Sequence, residues 1–452
     1  MAFHSTLEGC QLTIVVLFTI LFHLSLPVGA ECPCDIYAAD KNPCVAAYST
    51  VRVLSSTYTG PLYQVRRTSD KQTKDIYAIE GAGIASAAAQ DSFLGTGAGT
   101  VSKIYDQSGK GNHLIKAPKG CYQCPNGSAC QDDNESDAKG RSVTIAGRKA
   151  YALFMKEKDG YRNNDATDMP VNLEGQSIYM VADGKRYGTA CCWDFGNASK
   201  DNCYGTTGIM TALYFGTGFW GKGAGNGPWF QADLEGGVWS GGSGGSGVRN
   251  NNLPSSNYEF AFGILKSSST TSESQYAIKV ANVQSGGLTT AYDGKAPKLL
   301  KIQGGIILGI GGDNSNSSFG TLFEGIITKG RPSNTADTLI LKNVQAAGYG
   351  STKVPTLHRK VNSTAGAPAL SIHYAPGSSR AVINYSLESS RNIHLSIFNQ
   401  QGRQVATIVK SIIPPGTHQE SWNIACVPSG IYVARMILDN RDEWSGKVNI
   451  GR

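Results

Sequence analysis

Charge is scarce in this 452-residue sequence, with Asp, Glu, Lys and Arg making up 17% of it. The 41 basic and 34 acidic residues are spread along the chain, giving a formal net charge of +7 without a Lys/Arg run or stripe. Binding to a phosphate backbone needs such a stripe, so no nucleic acid is expected as a partner. Long amphipathic repeats with a three-to-four residue period are missing, which argues against a helical bundle. Gly109-Lys110-Gly111 lacks the wider GxxxxGK(S/T) frame and is not a phosphate loop. No histidine accompanies Cys121, Cys124 and Cys130, so a zinc-type ligand set is incomplete there; neither metal nor cofactor is expected.

What the chain does hold is glycine, 55 residues of it, beside an ordinary 40% of apolar residues. From Cys34 to about Ala347, short β-branched or aromatic runs alternate with Gly, Asn, Asp and Ser clusters. Val143 to Ile145, Ser177 to Val181, Glu259 to Ile264 and Ile302 to Leu308 are examples. Short strands closed by turn residues predict an all-β fold, a β-sandwich of jelly-roll type. The glycine- and serine-rich stretch Gly236 to Asn252 reads as a flexible loop. Only Cys44 to Leu54 and Asp337 to Ala347 are expected to be helical.

The N-terminus reads as a secretory leader. Leu12 to Leu26 is largely apolar and runs into Pro27, Val28, Gly29 and Ala30, with small residues where a signal peptidase would cut, so residues 1–30 are assigned as a signal peptide. Met1 to Gln11 lacks the usual Lys or Arg, and export therefore rests on the rest of the chain as well. Of 11 cysteines, Cys10 would leave with the leader, and the remaining even set suits disulfides in an oxidising compartment.

Residues 31–347 are expected to form the first domain, 348–368 a polar linker, and 369–452 a second domain. In the last, seven short strands fit an immunoglobulin-like sandwich: Leu370 to Tyr374, Ala381 to Leu387, Ile393 to Phe398, Gln404 to Val409, His418 to Ile424, Ile431 to Leu438 and Gly446 to Ile450. Asn399-Gln400-Gln401-Gly402, Gly416-Thr417-His418 with Trp422, and Ser429-Gly430-Ile431-Tyr432 resemble the C-terminal domains of type-nine secretion cargo. That resemblance implies contact with secretion machinery. A generic spacer or adhesion module is the alternative.

Two acidic positions stand out. Asp233 and Glu235 alternate with Ala232 and Leu234 in an extended run after Trp229, so a two-residue period puts both carboxylates on one face. A solvated strand face would look the same. Asp313 follows the apolar Ile306 to Ile310 and Gly311-Gly312, glycines that would let a ligand approach the backbone closely. It could equally cap a chain reversal with Asn314. Adjacent Cys191 and Cys192 more often partner two separate bridges, whereas a bridge between them would present a rigid sulfur face.

Residues Cys34 to about Val344 resemble the fifty-fourth family of glycoside hydrolases, the α-L-arabinofuranosidase B type. The resemblance is carried by Cys34-Asp35-Ile36-Tyr37 with Pro43-Cys44-Val45-Ala46-Ala47, Ile104-Tyr105-Asp106-Gln107-Ser108-Gly109 with Gly111-Asn112-His113-Leu114, and Gly160-Tyr161-Arg162-Asn163-Asn164. Ala190-Cys191-Cys192, Trp220-Gly221, Gly223-Ala224-Gly225, Glu235, Ile306 to Asn316 and Phe323-Glu324-Gly325 complete it in the same order.

The resemblance implies a β-sandwich with Glu235 as nucleophile and Asp313 as general acid/base. It also implies a Cys191–Cys192 disulfide against the sugar, Trp220 as an aromatic wall, Asp233 and the Gly312 backbone as hydroxyl partners, and a Cys34–Cys44 disulfide. The implied activity is exo-acting, retaining release of terminal arabinofuranose from arabinan, arabinoxylan and related plant cell-wall polysaccharide or arabino-oligosaccharides, by a secreted monomer.

Three features depart from the family pattern. Gly236 replaces the asparagine that commonly follows the nucleophile, Ser92 to Thr100 lacks a common cysteine pair, and an immunoglobulin-like domain stands where an arabinose-binding trefoil is usual. The alternatives are an inactive carbohydrate-binding or adhesion protein and a hydrolase of another pentoside such as a β-xyloside.

Overall fold

The computed structural model describes residues 32–79, 82–121, 131–203, 209–218, 220–352, 370–374, 380–399, 404–424, 430–439 and 442–450. The expected signal peptide, most of the expected linker, and Cys124, Cys130 and Cys426 lie outside them. Among the described residues, no helix is long and apolar enough to cross a membrane.

Two large antiparallel sheets build the first unit. One sheet runs Ser285–Lys295, Ser274–Asn282, Ala261–Ser269, Gln176–Ala182, Gly320–Lys329, Arg148–Met155, Arg141–Ile145, with Cys44–Ser49 added to Gly320–Lys329. The other has ten strands, ordered Val238–Trp239, Trp229–Asp233, Thr211–Gly216, Asp194–Ala198, Gly305–Leu308, Tyr161–Asn163, Leu114–Lys116, Gly99–Ile104, Tyr63–Arg67, Thr73–Ile76. Phe195, Leu213, Phe215, Phe230 and Ile306 of this sheet meet Ile178, Met180 and Leu265 of the first in one shared core. Face-to-face packing of two inner faces is what makes a sandwich, as expected.

The outer face of the first sheet is also covered. Tyr179, Val181, Phe262, Ile264, Phe323 and Ile326 pack there with Ala336, Ile340, Leu341 and Val344 of the helix Asn334–Ala346. Strands buried on both faces need continuous apolar runs rather than alternation, and Gln176–Ala182 is buried at every position. The helix is fixed by charge as well, since Asp337 accepts from both Lys266 and Lys279 at 2.6 Å.

Several expectations need correction. Cys44 to Leu54 is not a helix: Cys44–Ser49 is a fully buried strand paired with Gly320–Lys329. A short run such as Val45-Ala46-Ala47-Tyr48 carries no decisive period, and burial on both faces settled it. Helices Pro33–Ala39 and Ala87–Leu94 were not anticipated. The glycine-rich stretch is partly structured, with Val238–Trp239 closing the ten-stranded sheet and Arg249–Asn250 pairing with Lys222–Gly223. The first residues of the expected linker are packed: Tyr349 is buried and its hydroxyl donates to Glu324 at 2.6 Å.

Disulfides join Cys34 to Cys44, Cys121 to Cys203 and Cys191 to Cys192.

The second unit forms two sheets, three-stranded (Leu370–Tyr374, Arg380–Leu387, Gly416–Asn423) and four-stranded (Gln404–Ile413, Arg391–Phe398, Gly430–Leu438, Asp442–Ile450). All seven expected strands are present. Ile383, Tyr385, Leu395, Ile397, Trp422 and Met436 form a core of their own.

Candidate active site

The ten-stranded sheet alternates cleanly. Phe195, Leu213 and Ala232 enter the core, so their neighbours Asp194, Gly196, Ala212, Tyr214, Gln231 and Asp233 point to the opposite face. Register places Gly196 opposite Ala212, and Ala212 opposite Asp233. Past Asp233, at the end of that row, the chain ends form a pocket of about 400 Å³. Its lining includes Cys191, Cys192, Met210, Trp220, Asp233, Glu235, Gly236, Gly311, Gly312, Asp313 and Ser315.

Every site residue anticipated from sequence therefore faces this one cavity, apart from Cys34 and Cys44, whose bridge is structural. Glu235 sits one residue past the strand Trp229–Asp233 and its connecting Leu234, at φ +60°, and is only 4% exposed. Its backbone N–H donates to Asp233 Oδ1 at 3.1 Å, and Lys298 Nζ donates to its carbonyl at 3.1 Å. Glu235 Oε2 is buried and has no hydrogen-bond partner among the described residues. Burial, followed by the Asp233 and Asp313 charges, raises the Glu235 pKa to about 8. Asp233 rises to about 7, again mainly through burial.

Asp313 comes from the far side. The apolar strand Gly305–Leu308 ends in Gly309 to Gly312, and Asp313 Oδ1 accepts the Ser315 N–H at 2.9 Å in a tight turn. Arg162, only 1% exposed, holds this turn. Its guanidinium donates to Gly312 O and Asn314 Oδ1 at 2.8 Å, and to Asn164 Oδ1 at 2.7 Å. Burial lowers the Arg162 pKa to about 10, which leaves it charged at neutral pH.

The Cys191–Cys192 bridge forms a third side. Cys191 Sγ lies 3.7 Å from Ser315 Oγ, and Cys192 Sγ 3.9 Å from Asp233 Oδ2. Donor atoms of Cys191, Cys192 and Asp233 cluster within 4.8 Å, yet two sulfurs spent on each other offer no thiolate to a metal. Sequence reasoning gave no role to Arg162, Lys298, Met210, Ser315 or Asp194. Arg162 and Ser315 lie inside motifs that carry the family resemblance, and Asp194 breaks an apolar run at Trp193-Asp194-Phe195. Those were the available signals.

Residues 33–350 match the family model described as "Alpha-L-arabinofuranosidase B, catalytic", and residues 375–450 match the "Secretion system C-terminal sorting domain". A probable α-L-arabinofuranosidase B of Aspergillus fumigatus is 41% identical over 80% of this chain and 72% of its own length. A Trichoderma koningii protein named arabinofuranosidase/β-xylosidase is 44% identical over 70% of this chain and 63% of its own. A solved arabinofuranosidase complexed with arabinofuranosyl-α-1,2-xylobiose superposes with a TM-score of 0.67 at 39% identity, covering 79% of this chain and 74% of that one. The chain thus spans between about two thirds and three quarters of the length of these relatives. By the match over most of its length and the two-sheet fold that carries it, this chain belongs to the α-L-arabinofuranosidase B family of glycoside hydrolases.

Proposed function

We propose that this protein is an exo-acting, retaining α-L-arabinofuranosidase that releases terminal non-reducing α-L-arabinofuranosyl residues from arabinan, arabinoxylan and related hemicelluloses. The observation that carries this reading is the meeting of Glu235 and Asp313, from separate strands, in one pocket walled by a disulfide and Trp220. A cavity of about 400 Å³ lies at the small end of the range for small-ligand sites, which suits a terminal sugar.

Glu235 attacks the anomeric carbon while Asp313 donates a proton to the departing oxygen. Water then opens the arabinosyl ester with Asp313 as base, so configuration is retained. Two inversions at one centre need the carboxyls roughly 5 to 5.5 Å apart. Asp233 and the Gly312 backbone hold sugar hydroxyls, the Cys191–Cys192 bridge lies against the ring, and Trp220 closes one side. Residues 31–347 serve as the catalytic domain.

The test is turnover of an activated aryl α-L-arabinofuranoside by Glu235→Gln. Loss by about three orders of magnitude or more in folded protein is expected, and near-wild-type turnover removes Glu235 as nucleophile. The naming of one relative as both arabinofuranosidase and β-xylosidase favours a second, lesser activity on aryl β-xylosides, read in the same assay. The leader expected from the sequence and the match to a sorting domain support export to the cell exterior. Deleting residues 369–452 should leave the protein inside a host that carries the matching machinery.

A further inference from the structure

We propose that Asp194 is held as the neutral acid and donates its proton to Asp233, acting as a positioning residue that keeps Asp233 ionised and aimed into the pocket. This rests on the assignment of the pocket as the sugar site.

The argument starts from the sheet. Asp194 and Asp233 point to the same face, on strands separated only by Thr211–Gly216; Asp194 pairs with Tyr214 and Asp233 with Ala212, so the two acids lie diagonally across that strand. Asp194 is wholly buried, and among the described residues no N–H or O–H donates a hydrogen bond to either of its oxygens. Its side chain instead contacts the Asp233 carboxylate. Two ionised carboxylates have no hydrogen to share, so such a contact binds only when one of them is protonated.

The proton belongs on Asp194. Asp233 already accepts the Glu235 N–H at 3.1 Å, which favours its charged form, whereas no group among the described residues donates to the Asp194 carboxyl. The surrounding charges agree. Asp233 and Glu235 on one strand end and Asp313 on the neighbouring turn all oppose a charge on Asp194. Tyr214 lies between as a neutral phenol, pushed further from ionisation by burial. Arg162 and Lys298 act on Glu235. Burial and the Asp233 charge together push Asp194 well above the usual carboxylate range.

The consequence is chemical. One proton parked on Asp194, behind the pocket wall, leaves only Asp233, Glu235 and Asp313 of the four acids to carry charge, so Glu235 can ionise as nucleophile while Asp233 remains an acceptor. The proton moves nowhere during turnover.

Infrared difference spectroscopy of the intact protein at about pH 9, above the Glu235 range, tests this without substrate. The carbonyl stretch of a buried protonated acid is expected in wild type and absent from Asp194→Asn; the same band in both overturns the proposal. Kinetics with 4-nitrophenyl α-L-arabinofuranoside gives a second reading. Asparagine still donates an N–H, so Asp194→Asn should retain at least about a tenth of kcat/KM, while Asp194→Ala loses about a hundredfold, mostly in KM. Equal damage in two folded variants overturns it too. Absence of arabinosidase activity in wild type would instead strike the sugar-site assignment, leaving the spectroscopic result standing.

Discussion

Gly312 lies directly beneath Glu235: a Cβ built at position 312 would stand 2.5 Å from Glu235 Oε2 and 3.1 Å from Met210 Sδ. Backbone strain is not the issue, because Gly312 does not occupy the left-handed region. Space for the carboxylate is. Gly312→Ala should therefore shift Glu235 and lower kcat/KM about a hundredfold, since displacements near 1 Å carry such costs. The thermal midpoint should move by about 4 °C or less. Full activity in the alanine variant would show that the carboxylate has room to retreat.

The raised Glu235 pKa sets the acid limb of the pH profile. A nucleophile must be ionised, so kcat/KM should fall as pH drops through a midpoint well above 4.5, the ordinary glutamate value, toward about 8. Asp233 is the second cause of that shift. In Asp233→Asn the midpoint should consequently move down, measured on whatever residual activity remains. An acid limb at the ordinary carboxylate position in wild type contradicts the burial argument.

Stability follows with its own sign. Folded Glu235 holds its proton to about pH 8 and an unfolded glutamate only to about 4.5, so its contribution is favourable below that window and is lost as pH rises through it. Glu235→Gln cannot ionise. Its thermal midpoint should gain on wild type progressively between about pH 5 and pH 8, and calorimetry at several pH values checks this. A constant difference across the window means the carboxyl is not so perturbed.

Arg162→Lys keeps a charge but loses the planar fork that reaches Gly312 O, Asn314 Oδ1 and Asn164 Oδ1 together. The turn bearing Asp313 should loosen, with kcat falling about ten- to a hundredfold and KM changing less. Poor leaving groups, which depend most on the acid, should suffer more than 4-nitrophenol. Equal losses across leaving groups would place the fault elsewhere.

The seven-stranded second unit has its own hydrophobic core. Removing residues 369–452 should leave kcat/KM on soluble aryl arabinofuranosides within about twofold. A larger loss would mean the sorting domain completes or braces the pocket.

The sandwich, the seven C-terminal strands, the helix at Asn334–Ala346 and the carboxylates Asp233, Glu235 and Asp313 were all legible in the chain. Turn residues punctuate the strands, whereas local pattern only nominated the three acids, which a solvated face or a capped turn would equally explain, and the family resemblance supplied their roles. Cys44–Ser49 was misread as helix because six buried residues between two layers show no period of either kind. A period of two tells which side chains share a face of one strand, but not which strand lies alongside. Only the order of the ten-stranded sheet, with Thr211–Gly216 between its neighbours, brings Asp194 to Asp233. Likewise only folding carries Arg162 beneath the turn at Gly312, because buried charge finds its partners across strands distant in sequence.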